Sequence, residues 1–315
     1  MENVIVMVLG TGTNALGQIR CAHQAGYKCY NLVGTSIQRF SAKSKYCKKV
    51  DAPDPFREPY KCLSFTLEFI RALPEMPYLF FADDEWMMLV GEHEEEFIKV
   101  SHIVQSPWKE LIHLYDKKLL YRQAEKYGIP HPKTLEVQSL KELEFEIDNI
   151  QMPCIVKPQQ TVKQNDIAEA KIQTYHRTQT FNSKVEAIEW ANSLICAGLD
   201  IPVVLQEFIP GGAECLYTMT SYSDKNGNIV AGSIGHKLRQ FPPTAGRITS
   251  GVLHYEEKLR ETAEKFIKTV KFNGVANTEF KYDERDGQYK LMEINARFGA
   301  WNHSTLFAGL NLLEI

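Results

Sequence analysis

The segment from Asn277 to Arg297 restricts the fold of this chain most. Asn277-Thr278-Glu279-Phe280-Lys281 and Leu291-Met292-Glu293-Ile294-Asn295-Ala296-Arg297 flank the turn-forming stretch Asp283-Glu284-Arg285-Asp286-Gly287. Successive side chains of a strand point to opposite faces. Glu293, Asn295 and Arg297 therefore share one face, and Met292, Ile294 and Ala296 the other. A two-residue Asp286-Gly287 turn pairs Glu279 with Ile294 and separates the two acids. A three-residue Arg285-Asp286-Gly287 loop, with Gly287 left-handed, pairs Glu279 with Glu293. The second is favoured, because the first sets apolar Ile294 beside Glu279.

Two carboxylates held that close repel by about 4 kcal/mol at a separation near 4 Å and an effective dielectric of ~20. A divalent cation removes that penalty. Magnesium prefers hard oxygen ligands and commonly takes one or two carboxylates plus phosphate oxygens and water. Asn295 offers a further neutral oxygen, and Arg297 a permanent charge for a transferring phosphoryl group. A solvated hairpin with incidental acids is the competing reading of these residues taken alone.

Upstream, the first third alternates strand and helix signals. Val4 to Leu9, Lys28 to Val33 and Tyr78 to Phe81 read as strands; Leu16 to Ala25, Phe65 to Leu73 and Trp86 to Val100 read as helices, with a basic stretch around Lys43 to Lys49. The order predicts a small parallel α/β domain over residues 1–115. Beyond it come a helix from Asp116 to Tyr127, a strand at Thr134 to Val137, a helix from Leu140, a strand at Cys154 to Val156, a strand at Ala170 to Tyr175 and a helix at Ser183 to Ala197. From Val203 strands dominate, at Val203 to Phe208, Leu216 to Tyr222, Ile229 to Ile234, Val275 to Tyr282 and Tyr289 to Asn295. One amphipathic helix, Glu256 to Val270, interrupts them. The division is therefore 1–115, 116–202 and 203–315, the last two as α+β lobes with a cleft expected between them.

Composition narrows the function. The 315 residues are 44% hydrophobic and 24% charged with a formal net charge of -3, which gives no reason to expect nucleic-acid affinity. No apolar run reaches the roughly 20 residues of a membrane span. Seven scattered cysteines, odd in number and without a C-x-x-C pair, exclude a disulfide framework and a thiolate zinc site, and point to a reducing cytoplasm.

Lys157 closes the apolar strand ahead of Pro158, and Asp116-Lys117 opens a helix whose first N–H groups favour anions. Val203 to Ile209 runs into Pro210-Gly211-Gly212-Ala213-Glu214, a strand-to-loop hinge that can offer backbone donor and acceptor to a flat base.

In this order the pieces resemble the ATP-grasp superfamily, over nearly the whole chain. The resemblance implies an ATP-grasp fold, mixed α/β and α+β, preceded by a Rossmann-like domain. It implies that Lys117 and Lys157 contact ATP phosphates, Glu207, Phe208 and Ile209 meet the adenine, and Glu214 binds the ribose. Glu279, Glu293 and Asn295 would hold magnesium, with Arg297 the catalytic arginine. His236-Lys237-Leu238-Arg239-Gln240-Phe241-Pro242-Pro243 and Tyr282-Asp283-Glu284-Arg285-Asp286-Gly287 look like the D-aspartate ligase-like branch, which joins carboxylates to amines in cell-envelope or polysaccharide synthesis. Lys237 and Arg239, two apart on one strand, are expected to share a face and meet the γ-phosphate and the carboxylate.

Two features depart from that pattern. Where many relatives carry a glycine-rich loop after the Lys157 position, this chain has Gln159-Gln160-Thr161-Val162-Lys163-Gln164-Asn165. Gly10-Thr11-Gly12-Thr13-Asn14-Ala15-Leu16-Gly17 misses the dinucleotide spacing, and no acid follows the second strand, so NAD binding ranks below a simple tight turn or substrate contact. The expected substrates are a small carboxylate and an amine, and a homodimer is compatible with the sequence. A non-catalytic ATP-binding module, a carboxylate-activating enzyme with a non-amine acceptor, and an NAD-dependent oxidoreductase are the alternatives.

Overall fold

The computed structural model describes residues 4–34, 39–158, 179–196, 198, 200–243 and 246–314, the side chains of Lys118, Lys157 and Pro158 apart. The expected strand at Ala170 to Tyr175 and the glycine-poor loop with Lys163 lie outside the described residues.

The chain forms two compact units, which do not follow its linear order. One joins residues 1–129, 211–282 and 287–315; the other joins 130–210 and 283–286.

The first unit opens with β1 (Ile5–Leu9), α1 (Gly12–Gln24), β2 (Lys28–Val33), β3 (Lys48–Asp51), α2 (Pro59–Arg71), β4 (Tyr78–Phe81), α3 (Asp84–Glu92), α4 (Glu94–Phe97), β5 (His102–Ile103), α5 (Trp108–Tyr115) and α6 (Lys117–Lys126). The strands form a parallel sheet in the order β3-β2-β1-β4-β5. Every residue of β1 is buried, as a central parallel strand covered on both faces requires. Sequence order reverses between β1 and β4, and such a switch point leaves a crevice beyond the strand ends.

Differences from the expected elements have simple causes. In β3 only Val50 is buried, between Lys49 and Asp51, so it carries no apolar signal. The helix α2 starts at Pro59, where a proline without N–H costs nothing in the first turn. The long helix expected from Trp86 breaks at His93, between α3 and α4.

The same unit continues with β10 (Leu216–Ser223), β11 (Ile229–Phe241), β12 (Arg247–Leu253), α9 (Glu257–Thr269), β13 (Gly274–Asp283) and β14 (Gln288–Asn295). These five strands lie in the order β12-β11-β10-β13-β14, with β10 antiparallel to β11 and β13, and β11 antiparallel to β12. Strand β12 was missed because it is an edge strand, largely exposed. The apolar stripe of α9, Leu259, Ala263, Phe266 and Ile267, is fully buried and shares one core with Phe280, Leu291 and Ile294 of the sheet and with Leu9, Trp86 and Phe97.

The second unit contains β6 (Thr134–Val137), α7 (Leu140–Glu146), β7 (Cys154–Pro158), β8 (Gln179–Phe181), α8 (Lys184–Cys196) and β9 (Val203–Glu207). Its antiparallel sheet has the order β6-β9-β7-β8. Its core is Val137, Leu140, Leu143, Cys154, Val156, Ala187 and Leu205. Among the described residues no helix is long and apolar enough to cross a membrane.

One side chain ties the roots of β13 and β14 together. Gln105 Oε1 accepts from Val275 N–H at 3.0 Å, while its Nε2 donates to the carbonyls of Val275 and Ala296 at 3.2 and 2.8 Å. Removing it strands three part-buried backbone groups, at about 1 kcal/mol or more apiece. Gln105→Ala is expected to lower stability by about 2–4 kcal/mol, read as a shifted denaturant midpoint at unchanged slope.

Candidate active site

The turn between β13 and β14 takes four residues, Glu284 to Gly287, one more than the favoured loop. Gly287 is left-handed as expected, with φ +67°. The extra residue is absorbed further along. Tyr289 and Leu291 point into the core, and so do Ile294 and Ala296, so alternation slips by one between Leu291 and Ile294. Such a slip is the signature of a bulge, two residues doing the work of one. The Met292 carbonyl there accepts from the Tyr121 hydroxyl at 2.9 Å. Glu293 consequently lies on the face of Asn295 and Arg297, and Glu279, next to core residue Phe280, lies on that face too.

Burial, and then the charge of Glu293, raise the Glu279 carboxyl above the ordinary carboxylate value, against the lowering pull of Lys237, Lys117 and Arg297. A second acid and three cations of the expected set thus act on Glu279. Lys117 Nζ stands 3.4 Å from Glu293 Oε2, both side chains nearly half exposed. Asn295, two residues beyond Glu293, is buried. Two carboxylates and an amide, with cations able to face phosphates, form a donor set of the kind magnesium takes. Among the described residues no three of His, Cys, Asp and Glu gather as a metal-binding group.

Lys237 and Arg239 do not share a face. Lys237 pairs with Gly251 and Arg239 with Ser250, neighbours on β12 that point opposite ways, because the register shifts between the two basic residues. Lys237 keeps the face of Glu279: Thr218 pairs with both Glu279 and Gly235, and Lys237 is two beyond Gly235. Burial lowers the Lys237 ammonium pKa, opposed by Glu279. Its Nζ donates to Gln240 Oε1 at 3.2 Å and the Gly246 carbonyl at 3.4 Å. Arg239 is exposed. The indole of Trp301 lies across Gly235 and Gly251, where an added Cβ would come within 2.5 and 2.3 Å of the ring.

Arg297 reaches a partner that the sequence reading missed. Its Nε and Nη2 donate to the two oxygens of Asp84 at 2.6 and 2.8 Å, and its Nη1 to the Phe298 carbonyl at 3.2 Å. Asp84 opens α3 just past the end of β4. Its neighbour Asp83 caps that helix, accepting from Trp86 N–H at 3.2 Å. Burial raises the Asp83 carboxyl to about 7, partly offset by the Trp86 N–H. A Cβ on Gly10, whose φ is +114°, would come within 2.2 Å of Asp83 Oδ2, so glycine is needed there for the close approach as well as the turn. The available signal was Asp83-Asp84-Glu85 directly after an apolar strand, where the helix reading began only at Trp86.

The expected adenine and ribose residues have local partners. Glu207 accepts from the Lys133 N–H at 3.1 Å and from Arg285 Nη2 at 2.6 Å, so its carboxylate is tied within the second unit. Phe208 N–H donates to the Pro153 carbonyl at 3.2 Å, and Ile209 is buried. Glu214 lies in the first unit; its own N–H, then that of Gly212, hold its carboxyl below the usual carboxylate range. Lys157 is the penultimate residue of β7.

The family model described as carbamoyl-phosphate synthase L chain, ATP binding domain, matches residues 251–306, the stretch carrying Glu279, Glu293, Asn295 and Arg297. The L-amino acid ligase from Bacillus licheniformis superposes with a TM-score of 0.71 at 14% identity, covering 100% of this chain and 73% of that one. A biotin carboxylase complex with β,γ-ATP from Campylobacter jejuni does so with a TM-score of 0.68 at 15% identity, over 98% and 69%. These superpositions show that the chain has the ATP-grasp fold. In sequence, the chain is similar to a D-aspartate ligase from Enterococcus faecium (strain Aus0004), 27% identical over 99% of this chain and 75% of that protein.

Asp83 has a measurable consequence. An acid whose pKa is raised on folding binds its proton more tightly in the folded chain, so its contribution to stability is complete below the ordinary value and lost as pH rises through the folded one. Melting temperature is expected to fall between pH 3.8 and about 7 through Asp83, with Glu279 acting in the same direction. Asp83→Asn, which retains an N-cap oxygen, is expected to flatten that fall. An unchanged pH profile contradicts the assignment.

Proposed function

We propose that the chain is an ATP-dependent carboxylate–amine ligase that forms an amide and releases ADP and phosphate. One observation carries the reading: Glu293, Lys117, Lys237 and Arg297, brought from helix, strands and the segment after β14, all act electrostatically on the buried Glu279, and Lys117 also pairs with Glu293. The alternating charges suit a polyanion with its counter-cation better than either alone.

The reaction has two steps. A carboxylate oxygen of the substrate attacks the γ-phosphorus of ATP, the bond to the β,γ-bridging oxygen breaks, and ADP leaves. The amine nitrogen then attacks the acyl carbon of the resulting acyl phosphate, inorganic phosphate departs, and the nitrogen loses a proton. Lys117, Lys157, Lys237 and Arg297 are proposed to hold phosphate oxygens and the charge that builds on them. Glu279, Glu293 and Asn295 would hold magnesium, which when bound supplies positive charge to the phosphate oxygens. Glu207, Phe208 and Ile209 are assigned to the adenine and Glu214 to the ribose; the local partners of Glu207 favour backbone recognition. Arg239, turned from Lys237, is left with substrate contact outside the phosphate site. The wider setting, cell-envelope or polysaccharide synthesis in a reducing cytoplasm, rests on the resemblance to the D-aspartate ligase and on the free cysteines.

The test is a panel of amino and other carboxylic acids paired with amines, read by ADP release and product mass. At least one pair is expected to raise ADP release well above the ATP-only rate and to give the amide mass. Glu279→Gln and Glu293→Gln are each expected to lower kcat by about 100-fold or more and to raise the magnesium demand. ADP formed without amide would favour the non-amine acceptor instead.

A further inference from the structure

We propose that Asp84 is the positioning residue of this site, gripping one edge of the Arg297 guanidinium so that its remaining donors face the transferring phosphoryl group or the carboxylate that receives it. The proposal rests on the ligase reading.

A guanidinium carries five N–H donors in a rigid fork. Nε and one N–H of Nη2 go to Asp84, and one N–H of Nη1 goes to the Phe298 carbonyl. One N–H on each terminal nitrogen remains, a spacing that matches two oxygens of a carboxylate or phosphoryl group. Accepting through both oxygens, Asp84 fixes the plane of the guanidinium as well as its place. Arg297 is only 14% exposed and Asp84 42%, so the gripped edge is screened from water more on the arginine side. Arg297 also acts electrostatically on Glu279, which puts its charge at the acid pair.

Asp84 is itself supported. It is the first residue of α3, where the helix dipole favours a negative side chain. The Tyr115 hydroxyl lies 3.4 Å from Asp84 Oδ1 and 3.1 Å from Met87 Sδ. Gln105 Nε2 donates to the Ala296 carbonyl at 2.8 Å. The backbone just ahead of Arg297 is thus held by Gln105, and the carboxylate opposite it stands against the Tyr115 phenol. An ion pair serving stability alone does not need its arginine located from both ends.

The experiment is a double-mutant cycle on the substrate pair found above, with Asp84→Asn, Arg297→Lys and both together. Asp84→Asn is expected to lower kcat by about 10–100-fold while KM for ATP stays within about twofold. In the Arg297→Lys background the same change is expected to cost less than about threefold, because its target is gone. Equal losses in both backgrounds overturn the proposal and leave the ligase reading intact. A wild-type chain that forms no amide with any pair overturns both. Should Asp84→Asn fail to fold, Tyr115→Phe removes only the supporting hydroxyl. It is expected to lower kcat about 3–10-fold, again only when Arg297 is present, and an undiminished loss without Arg297 counts against the proposal.

Discussion

The mutual repulsion of Glu279 and Glu293 organises the site face. A sheet can keep two acids side by side, one of them largely desolvated, only when positive charge surrounds them. Lys117, Lys237 and Arg297 come from α6, β11 and the segment after β14, so one electrostatic requirement recruits three distant parts of the chain. The same requirement explains the investment in ordinary packing beneath. Phe280, Leu291 and Ile294 hold the opposite face of β13 and β14 in a core shared with the parallel sheet. With that face fixed, the acids cannot relax apart by tilting the strands.

Much of this was legible in the residues. The Asp286-Gly287 turn, the period-two alternation and the change of grammar near residue 115 each follow from local chemistry, and they carried the parallel sheet, the hairpin and the acid pair. What was hidden depended on register. The loop was expected to be one residue shorter, and Glu293 still joined Glu279 because a bulge at Met292–Glu293 made up the difference. A bulge at β11 had the reverse effect, turning Arg239 away from Lys237. Nothing in Leu238 announces it, since a bulge is fixed by the partner strand.

Asp84 was hidden for another reason. It stands 213 positions from Arg297, and its local role, an acid in the first turn of a helix, is already sufficient to explain it. A long-range contact leaves no trace when a short-range rule accounts for the same residue. The edge strands β3 and β12 were missed similarly: burying few side chains, they present sequences that read as charged loops.

The slip in β14 gives the strand two phases. Ahead of it, odd-numbered residues are apolar and inward; after it, even-numbered ones are. Loss of one residue at that junction, with the turn intact, would merge the two phases into a single alternation, with Ile294 and Ala296 still inward. Lineages descending from such a chain can therefore shed Met292 without turning Asn295 and Arg297 from the face they occupy.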